Sequence, residues 1–183
     1  MKRVVLLLAF LAINVFAIAQ DVKIKGVPVV NKHETFVREI QKKGFTKSNE
    51  SEKSTFLKGE FLGENVYMIA GKLDEELSHV TIAFEENDND NWKELKDKCD
   101  NLAKLYTEKY GKPIEKKDFH KHYTDGSGME KLGLMQGLIT YSYSYVTDSA
   151  IIMILIDKEL YITITYLRKD ITEKVMKSNI DDI

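Results

Sequence analysis

Residues 91–113 read NWKELKDKCDNLAKLYTEKYGKP, and this stretch decides the fold. Asn91 followed by Glu94 predicts a helix start closed by a capping box, and Gly111 is typical of a helix end. The apolar residues between them recur every three or four positions and therefore share one helical face: Trp92, Leu95, Cys99, Leu102, Tyr106 and Tyr110. The rest of the helix is mostly charged, so we expect the apolar face to lie against an apolar layer.

The acidic run EENDNDN leads into this helix and raises the question of a calcium site. An EF-hand loop needs an oxygen ligand at its fifth position and glutamate at its twelfth, but a loop starting at Asp88 would place Trp92 and Cys99 there. A looser surface calcium site at Glu86, Asp88 and Asp90 remains an alternative. We favour a solvated helix entrance, because the positive end of the helix dipole stabilises nearby carboxylates.

Strand-like segments on both sides of the helix supply the expected layer. Before it come TFLKGEFLG, ENVYMIAGKL and SHVTIAFEE, whose short polar joints predict antiparallel neighbours. After it come KDFHKHY, LITYSYSYV, AIIMILID and LYITITYLR. The segment AIIMILI is apolar on both faces, which predicts a central strand covered on each side.

Two further helices and two loops complete the predicted order. ETFVREIQKKGF is a short helix after an N-terminal edge strand, and a last helix runs from Asp170 to about Asn179. KSNESEKS and the glycine-rich region 124–137 are predicted as loops. The sequence therefore predicts an α+β fold, an antiparallel meander sheet with helices packed on it, in an order compatible with two tandem helix-plus-strands halves.

The first residues are typical of an export signal. Lys2 and Arg3 precede the apolar run VVLLLAFLAINVFAIA, which ends in the small-residue pattern Ala17-Ile18-Ala19. This predicts a signal peptide at 1–19 and a single mature domain at 20–183, either periplasmic or secreted. A membrane anchor is the alternative, but the apolar run falls short of the ~20 residues that span a bilayer, so we expect no membrane span after cleavage.

Composition excludes some classes of function. Cys99 is the single cysteine of 183 residues, so an internal disulfide is impossible and stability must come from a packed core. The whole chain has 27 basic and 29 acidic residues, and removal of Lys2 and Arg3 leaves 25 and 29, a formal charge of −4. Such mild acidity argues against a nucleic-acid partner.

The clearest candidate metal ligands lie in DFHKHY. On a strand, Asp118, His120 and His122 would point the same way and supply part of a zinc site, with a further ligand from His33, His79 or a carboxylate. In the alternative, these three side chains face water while their neighbours face the core. Zinc needs three or four protein ligands, so we favour the solvated arrangement.

No complete catalytic motif is found in the sequence. Ser127 lies in GSG rather than in a nucleophile elbow, and the nearby glycines lack the lysine of a phosphate loop. Cys99 lies on the apolar helix face, where a buried, unreactive thiol is expected. We therefore predict no cofactor and favour a protein that is not an enzyme.

The tyrosines of TYSYSYV alternate onto one face of a predicted strand. If Tyr141, Tyr143 and Tyr145 are exposed, they form an amphipathic patch that would bind a protein or a glycan, and they are then the candidate ligand-binding residues. If they lie under a helix, they belong to the core, which is the alternative we favour because large aromatic side chains are usually buried.

Several short motifs resemble those of small exported bacterial proteins with no assigned activity. They are IKGVPVV before the first helix, KKGF at its end, GEFLG in the first hairpin, and W-x-x-L with KYGKP in the second helix. The helix-plus-meander order also resembles, at the level of the fold, the β-lactamase-inhibitor-like proteins. The resemblance implies a fold and no particular function.

Three functions remain open from the sequence. The first is an exported, non-enzymatic binding module for an unknown protein or glycan, with the sheet face near 141–145 and the region 124–137 as contact surfaces. The second is a metal-binding protein or metal-dependent enzyme that uses His120 and His122. The third is a structural or assembly component of the cell envelope.

Overall fold

Ten strands and four helices form in the described parts of the chain, residues 22–85 and 91–181 of this computed structural model. The strands are β1 Lys23–Ile24, β2 Val27–Pro28, β3 Thr46–Glu50, β4 Ser54–Phe61, β5 Glu64–Leu73, β6 Glu76–Phe84, β7 Ile114–Phe119, β8 Ile139–Val146, β9 Ala150–Ile156 and β10 Ile162–Arg168. The helices are α1 His33–Gln41, α2 Trp92–Tyr110, α3 Glu130–Met135 and α4 Lys169–Asp181. The predicted signal peptide and the candidate calcium ligands Glu86, Asp88 and Asp90 lie outside the described residues.

Eight strands form one antiparallel sheet in the order β3-β4-β5-β6-β10-β9-β8-β7, and β1 pairs with β2 as a separate hairpin. The predicted α+β class is confirmed. Each half of the chain contributes a helix and then four sheet strands, α1 before β3 to β6 and α2 before β7 to β10. The last strands of the two halves, β6 and β10, pair antiparallel at the centre of the sheet, with Ile82 opposite Ile164.

Helix α2 begins and ends as the sequence predicts. The side chain of Asn91 accepts a hydrogen bond from the backbone N–H of Glu94 at 3.0 Å, and the Glu94 carboxylate accepts one from the N–H of Asn91 at 3.1 Å. The helix ends before Gly111, whose φ of 83° favours glycine. The buried residues of α2 are Leu95, Cys99, Leu102, Ala103 and Tyr106, four of which belong to the predicted apolar face.

Alternation along the strands divides the sheet into two faces. Leu57, Met68, Ile82, Ile164, Ile154 and Tyr143 are paired in register from β4 to β8 and lie in one row. All six are buried in the common core. Helix α1 reaches this face, because the ring of buried His33 donates to the backbone carbonyl of Ala70 at 3.1 Å. Helix α2 reaches it too, because the hydroxyls of Tyr106 and Tyr166 are hydrogen-bonded.

Several local predictions were wrong. The N-terminal segment is not an edge strand of the main sheet but the separate β1–β2 hairpin. Much of KSNESEKS at 47–54, predicted as a loop, belongs to the edge strand β3, whose five residues are all exposed. The region 124–137, also predicted as a loop, contains α3, which buries Leu134. Strand β9 is central as expected, but only one of its faces is buried, since Ile151, Met153 and Leu155 remain partly exposed.

None of the helices within 22–85 and 91–181 combines the length and the apolar character that a membrane crossing needs.

Candidate functional site

The second face of the sheet is an extended, partly exposed surface. Its first row runs through Lys58, Tyr67, Ala83, Thr163, Leu155, Ser142 and Lys116, which are paired in register across seven strands. The next row runs through Asn49, Phe56, Ile69, Thr81, Thr165, Met153, Ser144 and Ile114. We call the surface formed by these two rows, together with His79, Leu167 and Ile151, the open face.

The centre of the open face is uncharged. Aliphatic, aromatic and thioether side chains from β4, β5, β9 and β10 are only half-buried there, among them Phe56, Ile69 and Met153, and Tyr67 is 39% exposed. Hydroxyl groups lie between them, and the side-chain oxygens of Thr81 and Thr165 are 3.1 Å apart across the join of the two halves. The centre can therefore contact apolar groups and also offer hydrogen bonds.

Charged residues of the open face lie on its outer strands. Lys58 on β4 places its ammonium 4.7 Å from the centre of the Tyr67 ring. On β7, Lys116 lies 3.6 Å from Asp118, and both side chains are largely exposed. An uncharged centre with charges at its edge is the distribution seen in the fully buried core and polar rim of protein interfaces.

The side chain of His79 occupies space on the open face that is available because residue 71 is a glycine. It lies opposite Gly71, and a Cβ atom built on Gly71 would come within 2.0 Å of the His79 ring. The Nδ1 atom of His79 is 3.0 Å from the hydroxyl of Ser78. Burial lowers the pKa of His79 from 6.5, so the ring is neutral at pH 7 and adds no charge to the face.

The candidate residues Tyr141, Tyr143 and Tyr145 lie on the opposite, helix-covered face. Their exposed fractions are 5%, 6% and 1%. The hydroxyls of Tyr141 and Tyr143 donate to the same oxygen of Asp100 on α2 at 2.8 and 2.6 Å, and Tyr145 donates to the carbonyl of Ala103 at 2.6 Å. Burial and the Asp100 carboxylate both raise the pKa of Tyr141 and Tyr143. The structure shows the favoured core assignment, with all three tyrosines in the hydrophobic core beneath α2.

The candidate metal ligands do not form the expected strand face. Strand β7 ends at Phe119, so His120 and His122 lie beyond it in an exposed turn, while Asp118 is still on the strand. The two imidazole rings are 5.4 Å apart, centroid to centroid. Within 22–85 and 91–181, no group of three His, Cys, Asp or Glu side chains is arranged to hold a metal ion.

The other candidate groups have structural surroundings. Cys99 is fully buried, and burial together with nearby Asp100 raises the pKa of its thiol to about 12. The region 124–137 is hydrogen-bonded to the start of α2. The carboxylate of Asp125 accepts a hydrogen bond from Lys96 and another from the indole N–H of Trp92, the latter at 3.2 Å. Ser127 is exposed and accepts a hydrogen bond from the N–H of Met129 at 3.3 Å.

Sequence reasoning missed the open face, although a signal for it was present. AIIMILI is apolar on both faces, and this pattern, which we interpret above as a strand covered on each side, is also compatible with one exposed apolar face. Comparisons of the chain with protein-family models, with curated proteins and with solved structures find no match.

Proposed function

We propose that this protein is a non-enzymatic binding module that holds a protein partner on the open face. The observation that carries the proposal is the partly exposed side of β9, where Ile151, Met153 and Leu155 form an aliphatic strip on a strand whose other side is core. Large apolar patches rimmed by polar residues mark interaction sites on soluble proteins. Aliphatic and thioether groups dominate over flat aromatic rings, which favours a protein over a glycan.

The size of the open face suits such a partner. Strands lie about 4.8 Å apart and rise about 3.3 Å per residue, so eight strands of about six residues cover roughly 34 by 20 Å. That flat area of about 680 Å² is close to the ~800 Å² that each partner contributes to a standard protein interface.

The proposal also takes the module to act outside the cytoplasm, as a periplasmic or secreted protein. Its support is the basic, then apolar, then small-residue pattern of residues 1–19. An envelope assembly role would use the same open face. The metal-dependent alternative would need a ligand beyond His120 and His122, and metal analysis of protein purified without chelators tests it.

The test uses site-specific photo-cross-linking in the cells that produce the protein. A photoreactive side chain replaces Leu155 on the open face, and a control probe replaces Lys104, which is exposed on α2. We expect a discrete cross-linked protein with the first probe and none with the second. Excess unmodified protein should compete, whereas Met153→Glu should not, because it places a carboxylate in the apolar centre. Equal products from both probes, or full competition by Met153→Glu, would refute the proposal.

A further inference from the structure

A cavity of about 590 Å³ lies on the helix side of the molecule, away from the open face. It opens between the β1–β2 hairpin, the end of β4 and the C-terminal half of α2. Its volume falls within the ~300–1,000 Å³ typical of small-molecule sites.

The inner wall of the cavity is aromatic. The rings of Tyr106 and Tyr166 line it with their centroids 6.4 Å apart, and Phe61 adds a third ring. All three are buried. At the mouth, Leu62 and Leu105 also line the cavity, yet they are 54% and 52% exposed. Two aliphatic side chains left in water beside buried rings provide apolar surface that a ligand can cover.

The mouth of the cavity carries positive charge. Lys23, Lys25 and Lys109 line the cavity, and its lining residues within 22–85 and 91–181 include no carboxylate. In the described part of the chain none of these lysines forms an ion pair. The ammonium of Lys25 donates to the backbone carbonyl of Glu60 at 2.9 Å, and that of Lys109 lies 4.9 Å from the centre of the Tyr110 ring. An anionic group at this position would meet uncompensated positive charge.

Among the residues that the structure describes, the tyrosine pair has one hydrogen-bond donor without an acceptor. Burial raises the pKa of Tyr106 and of Tyr166, so both hydroxyls are neutral, and one donates to the other. The accepting hydroxyl keeps its own proton, for which residues 22–85 and 91–181 provide no second partner. A ligand oxygen can accept this hydrogen bond.

We propose that this cavity binds a small amphiphile with one anionic head and an apolar body, of the chemical class of a medium-chain carboxylate. The head lies among Lys23, Lys25 and Lys109, and the body covers Leu62 and Leu105 and reaches the tyrosine pair. This site is independent of the proposed partner on the open face.

The test is an NMR titration of the ¹⁵N-labelled protein with octanoate, with 1-octanol and acetate as comparison ligands. We expect saturable shifts of amides in β1, β2 and the end of α2 with octanoate, and binding at least tenfold weaker with either comparison ligand. Octanol lacks the charge and acetate lacks the apolar body. Absence of saturable octanoate shifts, or octanol binding as tightly as octanoate, would overturn the proposal.

Charge reversals on the same helix provide the matched control. Lys109→Glu should weaken octanoate binding by about tenfold or more, since a charge-assisted contact becomes a repulsion. Lys104→Glu makes the same change in net charge at an exposed position that lines a different groove, so the affinity should change less than twofold. Lys23→Glu repeats the test from the hairpin, and Met153→Glu on the open face should bind octanoate normally. Equal losses in Lys109→Glu and Lys104→Glu would contradict the assigned site.

Discussion

Replacement of Asp100 by alanine tests what holds α2 on the sheet. One carboxylate oxygen of Asp100 accepts the hydroxyls of Tyr141 and Tyr143 at 2.8 and 2.6 Å, and Lys117 lies 3.6 Å from the same oxygen. The ammonium of Lys117 also lies 4.7 Å from the centre of each tyrosine ring. Three groups from β7 and β8 therefore depend on one carboxylate of α2.

The expected loss of stability follows from the groups that the substitution leaves unpaired. A buried donor without a partner costs about 1–3 kcal/mol, and here two hydroxyls on tyrosines only 5% and 6% exposed lose their acceptor. The Asp100 side chain is 35% exposed, so water can enter and we take the lower part of that range. We expect Asp100→Ala to lower the free energy of unfolding by about 2–3 kcal/mol, and Tyr143→Phe alone by about 1 kcal/mol.

The assay is urea unfolding followed by circular dichroism, in a double-mutant cycle of Asp100→Ala with Tyr143→Phe. In the Asp100→Ala background, Tyr143→Phe should cost nothing or restore stability, because it removes a donor that already lacks its acceptor. Asp97→Ala is the control, since Asp97 pairs with Lys93 on the exposed helix surface and its loss should lower the free energy of unfolding by less than about 0.5 kcal/mol. Additive losses for Asp100→Ala and Tyr143→Phe would refute the shared-acceptor account.

Three further outcomes follow from the structure. Asn91→Ala removes the side-chain half of the α2 capping box and should lower unfolding free energy by about 1 kcal/mol in the same urea assay, and a loss below about 0.3 kcal/mol would contradict the cap. Cys99, whose thiol pKa is raised to about 12, should not react with a thiol-specific disulfide reagent at pH 8 until denaturant unfolds the protein, and rapid native labelling would contradict its burial. Burial lowers the pKa of His33 from 6.5, so the unfolded chain takes up this proton at a higher pH than the folded protein does, and stability is lost as the pH falls below about 6.5. His33→Gln should therefore make the free energy of unfolding less dependent on pH in this range. An unchanged pH dependence would contradict the role assigned to His33.

The parts of the fold that local chemistry determines could be predicted from sequence. The start and end of α2 depend on Asn91, Glu94 and Gly111, all within the helix or next to it, and the structure places them as expected. Strand β3 could not be found in this way, because TKSNE contains no apolar residue to mark a face. Its extended conformation depends on backbone pairing with β4, and the residues of the segment itself do not indicate that pairing.

Candidate residues were harder to place, because sequence gives alternation but not the direction of a face. The tyrosine row of β8 was recognised, and the structure decides its direction by placing Asp100 of α2 within hydrogen-bond distance of two hydroxyls. His120 and His122 were assigned to a strand, but the chain turns after Phe119, with the N–H of Tyr123 donating to the carbonyl of His120 at 2.7 Å. The cavity could not have been found, since its lining residues come from four separate segments between Lys23 and Tyr166.

The cavity beside Tyr106 and Tyr166 is lined by residues from both halves of the chain. The hairpin lysines and Phe61 belong to the first half of the chain, whereas α2 and Tyr166 belong to the second. The halves also share the sheet, where β6 and β10 are paired over five residue positions. A ligand in the cavity therefore contacts both halves at once, and its binding free energy is lost if either half unfolds. At a concentration 100 times its dissociation constant, such a ligand would stabilise the state in which both halves are folded by about 2.7 kcal/mol. Stabilisation of this size would make unfolding of the two halves more cooperative without any change in the open face.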